Sequence, residues 1–266
     1  MTGERLRVLT INALAPEYAD GPRRRANLRD GLRRLRPDVV AFQEVGADEV
    51  AGLVDDGWHI APTSRRTPDG LGATLAARWP IEPLREIDGG GSWYATLIAE
   101  VRAPIGLLVA HHKPVWPYGA ERARERHAVA AARAVEDVLP GADRHVVLLG
   151  DLDATPDSAG VRFLTGRQSL DGTGVCYQDA WAATHPGEPG HTFTPDNPLV
   201  QTGDMPTEAG RRIDYVLVRC AAHGPTLQVD RCERVFTDHA HPISDHYGVL
   251  ADLRVPPRPP GTLAPG

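Results

Sequence analysis

The chain has few cysteines, no long apolar run and no excess of positive charge. Its three cysteines, Cys176, Cys220 and Cys232, are an odd number without Cys-x-x-Cys spacing or an accompanying histidine pattern, so free buried thiols are predicted rather than disulfides or a zinc site. No apolar stretch reaches the length of a bilayer span, and a predicted strand begins by Leu6 without an apolar leader. We therefore expect a cytoplasmic protein with no membrane span and no obligate protein partner.

The charge and length of the chain restrict its class further. A net charge of −6 gives no basic footprint, which argues against a tight, sequence-independent DNA binder. The hydrophobic fraction of 41% and charged fraction of 24% are those of an ordinary globular protein, and 266 residues suffice for one large domain. We expect a single domain over residues 1–255, followed by an extended and disordered proline-rich tail over 256–266.

Two helices are predicted from periodicity. The first covers 22–35 with a buried leucine stripe, and its six arginines form either a solvated face or a phosphate-binding patch. The leucines of this stripe are Leu28, Leu32 and Leu35. The second covers about 120–139, ends at Pro140-Gly141 and carries His127 as a packing or surface residue rather than a catalytic one.

The segment Val146 to Asp153 is the most informative part of the chain. Four aliphatic residues run into Gly-Asp-Leu-Asp, which indicates a strand buried on both faces that ends in two carboxylates, Asp151 and Asp153. Like charges held this close need a cation or a shared proton. A metal ion is the favoured interpretation.

Four further segments have the same form, an aliphatic strand that runs into a polar residue. The polar side chains would converge if the strands lie in stacked sheets. These strands are predicted to end or begin at Asn12, at Gln43-Glu44, at His111 and at Asp214.

Taken in order, these residues resemble the signature of the endonuclease/exonuclease/phosphatase superfamily, which has the DNase I-like fold. The matching positions are Asn12, Gln43-Glu44, His111, Gly150-Asp151-x-Asp153, Arg212-Ile213-Asp214 and Ser244-Asp245-His246. The resemblance spans residues 6 to 253. It implies an α/β fold, a four-layer αββα sandwich with two mixed sheets packed face to face and helices outside.

The resemblance also implies a metal site and a set of catalytic residues. Glu44 would be the principal ligand of Mg²⁺ or Mn²⁺, Asn12 would assist at the metal or phosphate, and Asp245 would position the metal or the neighbouring histidine. His246, with Asp214 or Asp151, would orient the water and phosphate.

Three further residues have implied roles. Asp151 would be the base or the residue that positions the nucleophile, and His111 would support the leaving group or phosphate. His112, one residue further along the strand, should point elsewhere, and Lys113 could reach a phosphate as a point charge.

Asp153 departs from the family pattern, which usually has Asn in this position. An amide can donate a hydrogen bond to a phosphoryl oxygen or to water, whereas an ionised carboxylate only accepts and repels phosphate. Three alternatives follow for Asp153: it is metal-bound, it is protonated beside Asp151, or it faces away from the site.

The resulting prediction is a divalent-metal-dependent phosphoesterase (a nuclease, phosphodiesterase or phosphatase) that hydrolyses a phosphodiester of nucleic acid or a nucleotide with an activated water. The alternative is a phosphatase or phosphodiesterase for a small molecule, a lipid headgroup or a sugar phosphate. A binding module without catalysis is the third hypothesis, and the intact acidic and histidine motifs argue against it. Five aromatic residues near the motifs would either stack on a base or simply be buried. They are Trp93, Tyr94, Trp116, Tyr118 and Phe193.

Overall fold

The structure, a computed structural model, describes residues 4–91, 93–139 and 144–262. Within these ranges thirteen strands surround the core. The strands are β1 (Arg5–Asn12), β2 (Val39–Gly46), β3 (His59–Arg66), β4 (Leu71–Ala77), β5 (Ile81–Asp88), β6 (Ala95–Val101), β7 (Leu107–Lys113), β8 (His145–Asp151), β9 (Tyr177–Asp179), β10 (Asp214–Ala221), β11 (Gly224–Pro225), β12 (Gln228–Val235) and β13 (Gly248–Arg254). The helices are α1 (Gly21–Leu35), α2 (Val50–Leu53), α3 (Glu121–Asp137), α4 (Ala159–Leu164), α5 (Ala180–Thr184) and α6 (Pro198–Thr202), with one 3₁₀ turn at Tyr118–Ala120.

The strands form two mixed sheets. The first has the order β12-β13-β1-β2-β4-β3, and the second has the order β11-β10-β8-β7-β6-β5 with β9 added on β10. β1 runs parallel to β2, and β7 runs parallel to β8, while the other pairs are antiparallel. Parallel neighbours bring the C-terminal ends of β1 and β2 to one edge, and those of β7 and β8 to another.

The core between the sheets follows from the alternation of side chains along each strand. In β1, Leu6 and Val8 face the second sheet, where they join Val109 and Val147 in one buried cluster. Leu9 and the other alternate residues of β1 point to the opposite side. Because both faces are covered, the strands read as continuous apolar runs.

Helices cover the outer faces of both sheets. Leu28 and Leu32 of α1 pack on the outer face of the first sheet, while Leu35 is only partly buried. The alanine-rich face of α3 packs on the outer face of the second sheet. The predicted four-layer αββα sandwich is thus confirmed. Both predicted helices form, although Pro140 and Gly141, the expected stop of the second, lie outside the described residues.

Two other expectations concern the cysteines and the tail. All three thiols are free, and Cys232 is buried, but Cys176 is exposed and Cys220 is partly exposed, so the prediction of burial was wrong for Cys176. Residues 256–262 form no helix or strand, and 263–266 of the predicted tail lie outside the described residues. No helix in the described ranges is both long and apolar enough to cross a membrane.

Candidate active site

The polar ends of strands from both sheets meet at one place. Asn12 ends β1, and Glu44 lies near the end of β2, where the pairing with β4 shifts between Phe42 and Val45. From the second sheet, Asp151 ends β8 and lies directly opposite Asp214, the first residue of the antiparallel strand β10. These side chains are far apart in the sequence, and the pairing and packing of the strands bring them together.

Asn12 joins the two sheets at this point. Its amide Nδ2 donates to Glu44 Oε1 at 2.9 Å and to Asp151 Oδ2 at 3.0 Å. Its Oδ1 accepts from the Leu14 backbone N–H at 3.0 Å, which fixes the orientation of the amide because only the oxygen can accept. The amide thus orients two carboxylates, and the predicted role of Asn12 at the metal or phosphate stays a prediction.

Asp214 and His246 form a buried pair. His246 Nδ1 lies 2.9 Å from Asp214 Oδ2, and among the described residues the buried Asp214 Oδ1 has no hydrogen-bond partner. Burial alone would lower the pKa of His246, but the charges of Asp214 and Asp151 raise it to about 10. The imidazole is therefore held as a cation whose Nε2–H is not used by Asp214.

Backbone contacts fix the orientation of this pair. The Thr192 hydroxyl oxygen accepts from the Asp214 backbone N–H at 3.2 Å, and the Ser244 hydroxyl oxygen accepts from the His246 backbone N–H at 3.1 Å. The Phe193 ring lies 4.9 Å from the His246 ring. The position of His246 is thus fixed by hydrogen bonds with Asp214 and Ser244 and by the neighbouring Phe193 ring.

Lys113 occupies the centre of the acidic cluster. Its ammonium Nζ lies 2.5 Å from Asp151 Oδ2, and it also contacts Asp153 Oδ2. The lysine side chain is 2% exposed. Burial alone would lower its pKa, but the surrounding carboxylates of Asp151, Asp153 and Glu44 raise the pKa of Lys113 above the ordinary lysine value.

Asp153 points into the site, so the alternative that it faces away was wrong. Burial and the Asp151 charge raise its pKa to about 6 against the opposing effect of Lys113, which is the direction that the protonated alternative requires. The residue adopts the left-handed backbone conformation with φ 49°, its N–H donates to Asp151 Oδ1 at 3.1 Å, and its carboxylate meets Lys113. The cation beside Asp153 is thus a protein side chain. Lys113, expected to reach a phosphate, is held by two carboxylates.

The adjacent histidines lie on opposite faces of β7. His111 Nε2 is 2.7 Å from Gln43 Nε2, between the sheets. His112 Nδ1 is 2.6 Å from Thr96 Oγ1, which also contacts His127 Nε2 at 2.8 Å on α3. His127 packs, as predicted. Burial lowers the pKa of His111 to about 3, so it is neutral. Its ring contacts Gln43, and the predicted support of the leaving group or phosphate by His111 stays a prediction.

The loop that follows Lys113 presents two exposed aromatic side chains. Trp116 is 46% exposed and Tyr118 is 60% exposed. The guanidinium of the buried Arg124 donates to four backbone carbonyls of this loop, so its path is fixed although it has little regular structure. Those carbonyls belong to Val115, Trp116, Pro117 and Tyr118.

A chain of contacts leads from Tyr118 back to the Asp214–His246 pair. The Tyr118 hydroxyl donates to Glu208 Oε2 at 2.5 Å. The Arg211 guanidinium lies 4.5 Å from the Tyr118 ring centroid and 5.5 Å from that of Phe193, which in turn contacts His246. We call Trp116, Tyr118, Arg211 and Phe193 the aromatic rim.

Comparison with known proteins agrees with this geometry. The sequence pattern of the Endonuclease/Exonuclease/phosphatase family matches residues 9–246. The chain belongs to this family. No curated protein matches the chain.

Solved structures share the fold of this endonuclease/exonuclease/phosphatase protein at low sequence identity. The D. rerio TDP2 complexed with a single-strand DNA product is 18% identical, covers 95% of this chain and 100% of its own, and has a TM-score of 0.72. The human Nocturnin catalytic domain with a bound sulfate is 16% identical, with 95% of each chain covered and a TM-score of 0.68. ANGEL2, a 2′,3′-cyclic phosphatase in complex with adenosine-2′,3′-vanadate, is 14% identical, with 95% of this chain and 96% of its own covered and a TM-score of 0.70.

Two groups of side chains in this family member have the chemistry of metal ligands. One ligand atom from each of Asp151, Asp214 and His246 lies within 4.8 Å of the others. The charges of Asp214 and Asp151 favour the protonated imidazole, so a metal ion would bind this group with release of the His246 proton. Glu44 and Asp245 offer further oxygen ligands. Burial raises the pKa of Glu44, Lys113 opposes this, and the Asp245 charge adds to the rise. Hard oxygen donors and the excess of negative charge fit Mg²⁺ or Mn²⁺.

Arg24 is a positioning residue that the sequence analysis missed. The arginines of α1 were expected to form a solvated face or a phosphate patch, but Arg24 is 1% exposed and its guanidinium donates only to backbone carbonyls. These carbonyls belong to Ala13, Leu14, Ala15, Tyr18, Ala19 and Ile243. They flank Asn12 on one side and Ser244 on the other. The spacing of Arg24 to Leu28 and Leu32 on one helical face was the available signal.

Proposed function

We propose that this protein is a divalent-metal-dependent phosphodiesterase that acts on nucleotides or on single-stranded nucleic acid. The observation that supports it most is the clustering of carboxylates with one histidine, His246, and one buried ammonium group, that of Lys113. The carboxylates are Glu44, Asp151, Asp153, Asp214 and Asp245. Such a cluster retains excess negative charge after Lys113 and His246 are counted, which a divalent cation would offset.

Glu44 and Asp245 would hold the metal ion. Asn12 orients Glu44 through its 2.9 Å hydrogen bond, so this residue acts on the metal through its ligand. When bound, Mg²⁺ or Mn²⁺ would polarise the phosphoryl oxygen and offset the charge that develops on it.

Asp151 and His246 would act on the water and the phosphate. Burial opposes ionisation of Asp151, but Lys113 and His246 lower its pKa to about 2, so the carboxylate stays ionised and positions the water rather than storing its proton. The imidazolium of His246, fixed by Asp214, can donate from Nε2 to a phosphoryl oxygen or to the leaving oxygen.

The aromatic rim supports a substrate that carries a base. Two exposed rings beside a phosphate site suit stacking, which every nucleobase accepts because each has a π-face. The net charge of −6 argues against long duplex DNA and favours a short strand or a nucleotide. TDP2 with a single-strand DNA product and ANGEL2 with an adenosine vanadate are relatives in fold that were solved with ligands of this kind.

A pair of substrates with the same leaving group tests this proposal. The p-nitrophenyl ester of thymidine 5′-phosphate carries a base, whereas methyl p-nitrophenyl phosphate does not. With Mg²⁺ or Mn²⁺ we expect kcat/KM to be about 10-fold higher for the nucleoside ester, the scale of one base stacking on an aromatic ring. Tyr118→Ala and Trp116→Ala should remove this preference and leave the methyl ester unchanged.

The control variant is Tyr18→Ala, because Tyr18 is also exposed, at 57%, but is no part of the aromatic rim. It should leave both substrates unchanged. Hydrolysis of neither diester under any divalent metal would refute the phosphodiesterase. Equal rates on both diesters would refute only the base-binding role, and a strong preference for p-nitrophenyl phosphate, a monoester, would favour the small-molecule phosphatase.

A further inference from the structure

Cys176 and Cys220 face each other across two antiparallel strands. In the pairing of β9 with β10, Tyr177 lies opposite Arg219, so the next pair in register is Cys176 and Cys220. The Cys220 backbone N–H donates to the Cys176 carbonyl at 2.8 Å, which shows that the pairing continues to these residues. Residues directly opposite each other have Cα atoms about 4.5–5.5 Å apart, within the range that a disulfide spans.

The two thiols share a solvent-accessible environment. Both line a surface cavity of about 640 Å³, together with Arg167 and Arg219. Cys176 is exposed and Cys220 is partly exposed, whereas Cys232 is buried elsewhere. Burial and the neighbouring Cys176 thiol raise the pKa of Cys220 to about 11, so Cys220 stays protonated at neutral pH. Because Cys176 is the more exposed of the two thiols, an oxidant in solution reaches Cys176 first.

We propose that Cys176 and Cys220 are an oxidation site that forms a reversible intramolecular disulfide with a peroxide as oxidant. The Cys176 sulfur attacks one peroxide oxygen, the O–O bond breaks, and a sulfenic acid and one water are formed. The Cys220 sulfur then attacks the Cys176 sulfur, the S–O bond breaks, and a second water leaves with the Cys220 proton. Two thiols lose two hydrogen atoms, and one hydrogen peroxide is reduced to two waters.

The disulfide would close a covalent loop around part of the candidate active site. Residues 177–219 lie between the two cysteines and include Thr192, Phe193 and Asp214. Joining the ends of so long a segment restricts the unfolded chain, which stabilises the folded protein. The cross-link thus ties the segment that supports the His246 pair to the far end of β10.

Peptide mapping tests the proposal without any measurement of turnover. The reduced full-length chain is treated with one equivalent of hydrogen peroxide, alkylated and digested without reductant. We expect a cross-linked pair of peptides containing Cys176 and Cys220, an intact mass lower by two hydrogen atoms, and a melting temperature raised by roughly 5 °C. Dithiothreitol should reverse all three changes.

Single substitutions distinguish this pair from ordinary thiol oxidation. Cys232→Ser should form the cross-link as the wild type does, while Cys176→Ser and Cys220→Ser should not. Oxidation of Cys176 to sulfinic acid with Cys220 still a free thiol, or cross-links between molecules only, would overturn the proposal. A cross-linked protein with an unchanged melting temperature would overturn the inferred constraint on residues 177–219.

Discussion

Replacing Lys113 with methionine should destabilise the protein strongly in the absence of metal. Lys113→Met keeps much of the volume of the side chain but removes the ammonium that contacts Asp151 and Asp153. Both side chains are at most 9% exposed, so Asp153 would be left as a charge without its cation, and Asp151 would keep only the charge of His246. Lys113 is the only lysine in a chain with 29 lysines and arginines, which makes the substitution unusually specific.

The size of the effect follows from the burial of the ion pair. Removing one partner of a buried pair costs about 3–5 kcal/mol, because the remaining charge stays desolvated. This raises the unfolded fraction by roughly two to three and a half orders of magnitude. The double variant Lys113→Met/Asp153→Asn removes the orphaned charge of Asp153 and should recover more than about 1 kcal/mol.

The change in the free energy of unfolding is measured by denaturant unfolding in EDTA. The chelator removes any metal ion that could replace the ammonium group. In Mg²⁺ the loss should be smaller, since a cation can bind the freed carboxylates. Arg33→Met is the matched control: its ion pair with Asp55 is 55% and 56% exposed, so less than about 1 kcal/mol is expected. A value for Lys113→Met within 1 kcal/mol of the wild type in EDTA would refute the reasoning.

The same residue offers a direct check of charge. Because Lys113 is the only lysine, ¹⁵N labelling of lysine gives one ammonium resonance to follow with pH. Its pKa is raised by the surrounding carboxylates, so the pairing stabilises the fold fully below the ordinary lysine pKa of about 10.4 and is lost only as pH rises through the higher folded value. A resonance that titrates at or below pH 10 would contradict this.

Three further outcomes are expected. EDTA should abolish activity and Mg²⁺ or Mn²⁺ restore it, and Glu44→Gln should lose most activity with an unchanged melting temperature; full activity in EDTA would exclude the metal. Asp153→Asn should keep the Mn²⁺ half-saturation of the wild type, because Asp153 pairs with a lysine, and weaker Mn²⁺ affinity in a metal titration would show instead that it holds a cation. Arg24→Met should destabilise by about 3 kcal/mol or more in denaturant unfolding, since buried carbonyls lose their donor. The exposed neighbour Arg23→Met should not, and equal effects would disprove the positioning role of Arg24.

The sequence by itself determined the fold and the members of the site. Aliphatic runs that end in Asn12, Glu44 and Asp151 are local signals, because a strand covered on both faces must be apolar until it reaches an exposed edge. Gly150 belongs to the same motif as Asp151, and the structure gives its reason, since a Cβ there would lie 2.0 Å from the His112 carbonyl oxygen. The order and spacing of these motifs carried the resemblance to the endonuclease/exonuclease/phosphatase superfamily, and that resemblance implied the αββα sandwich.

The tertiary structure alone decided which side chains are partners. The contacts of Lys113 with Asp153 and of His111 with Gln43 join residues 40 and 68 positions apart. Such pairs depend on strand register and on the left-handed turn at Asp153, and a motif contains neither. The charge of a residue in a motif indicates which kinds of partner it can bind. The choice of partner was decided by tertiary packing. Asp153 pairs with the ammonium group of Lys113, and Arg24 donates to backbone carbonyls instead of binding phosphate.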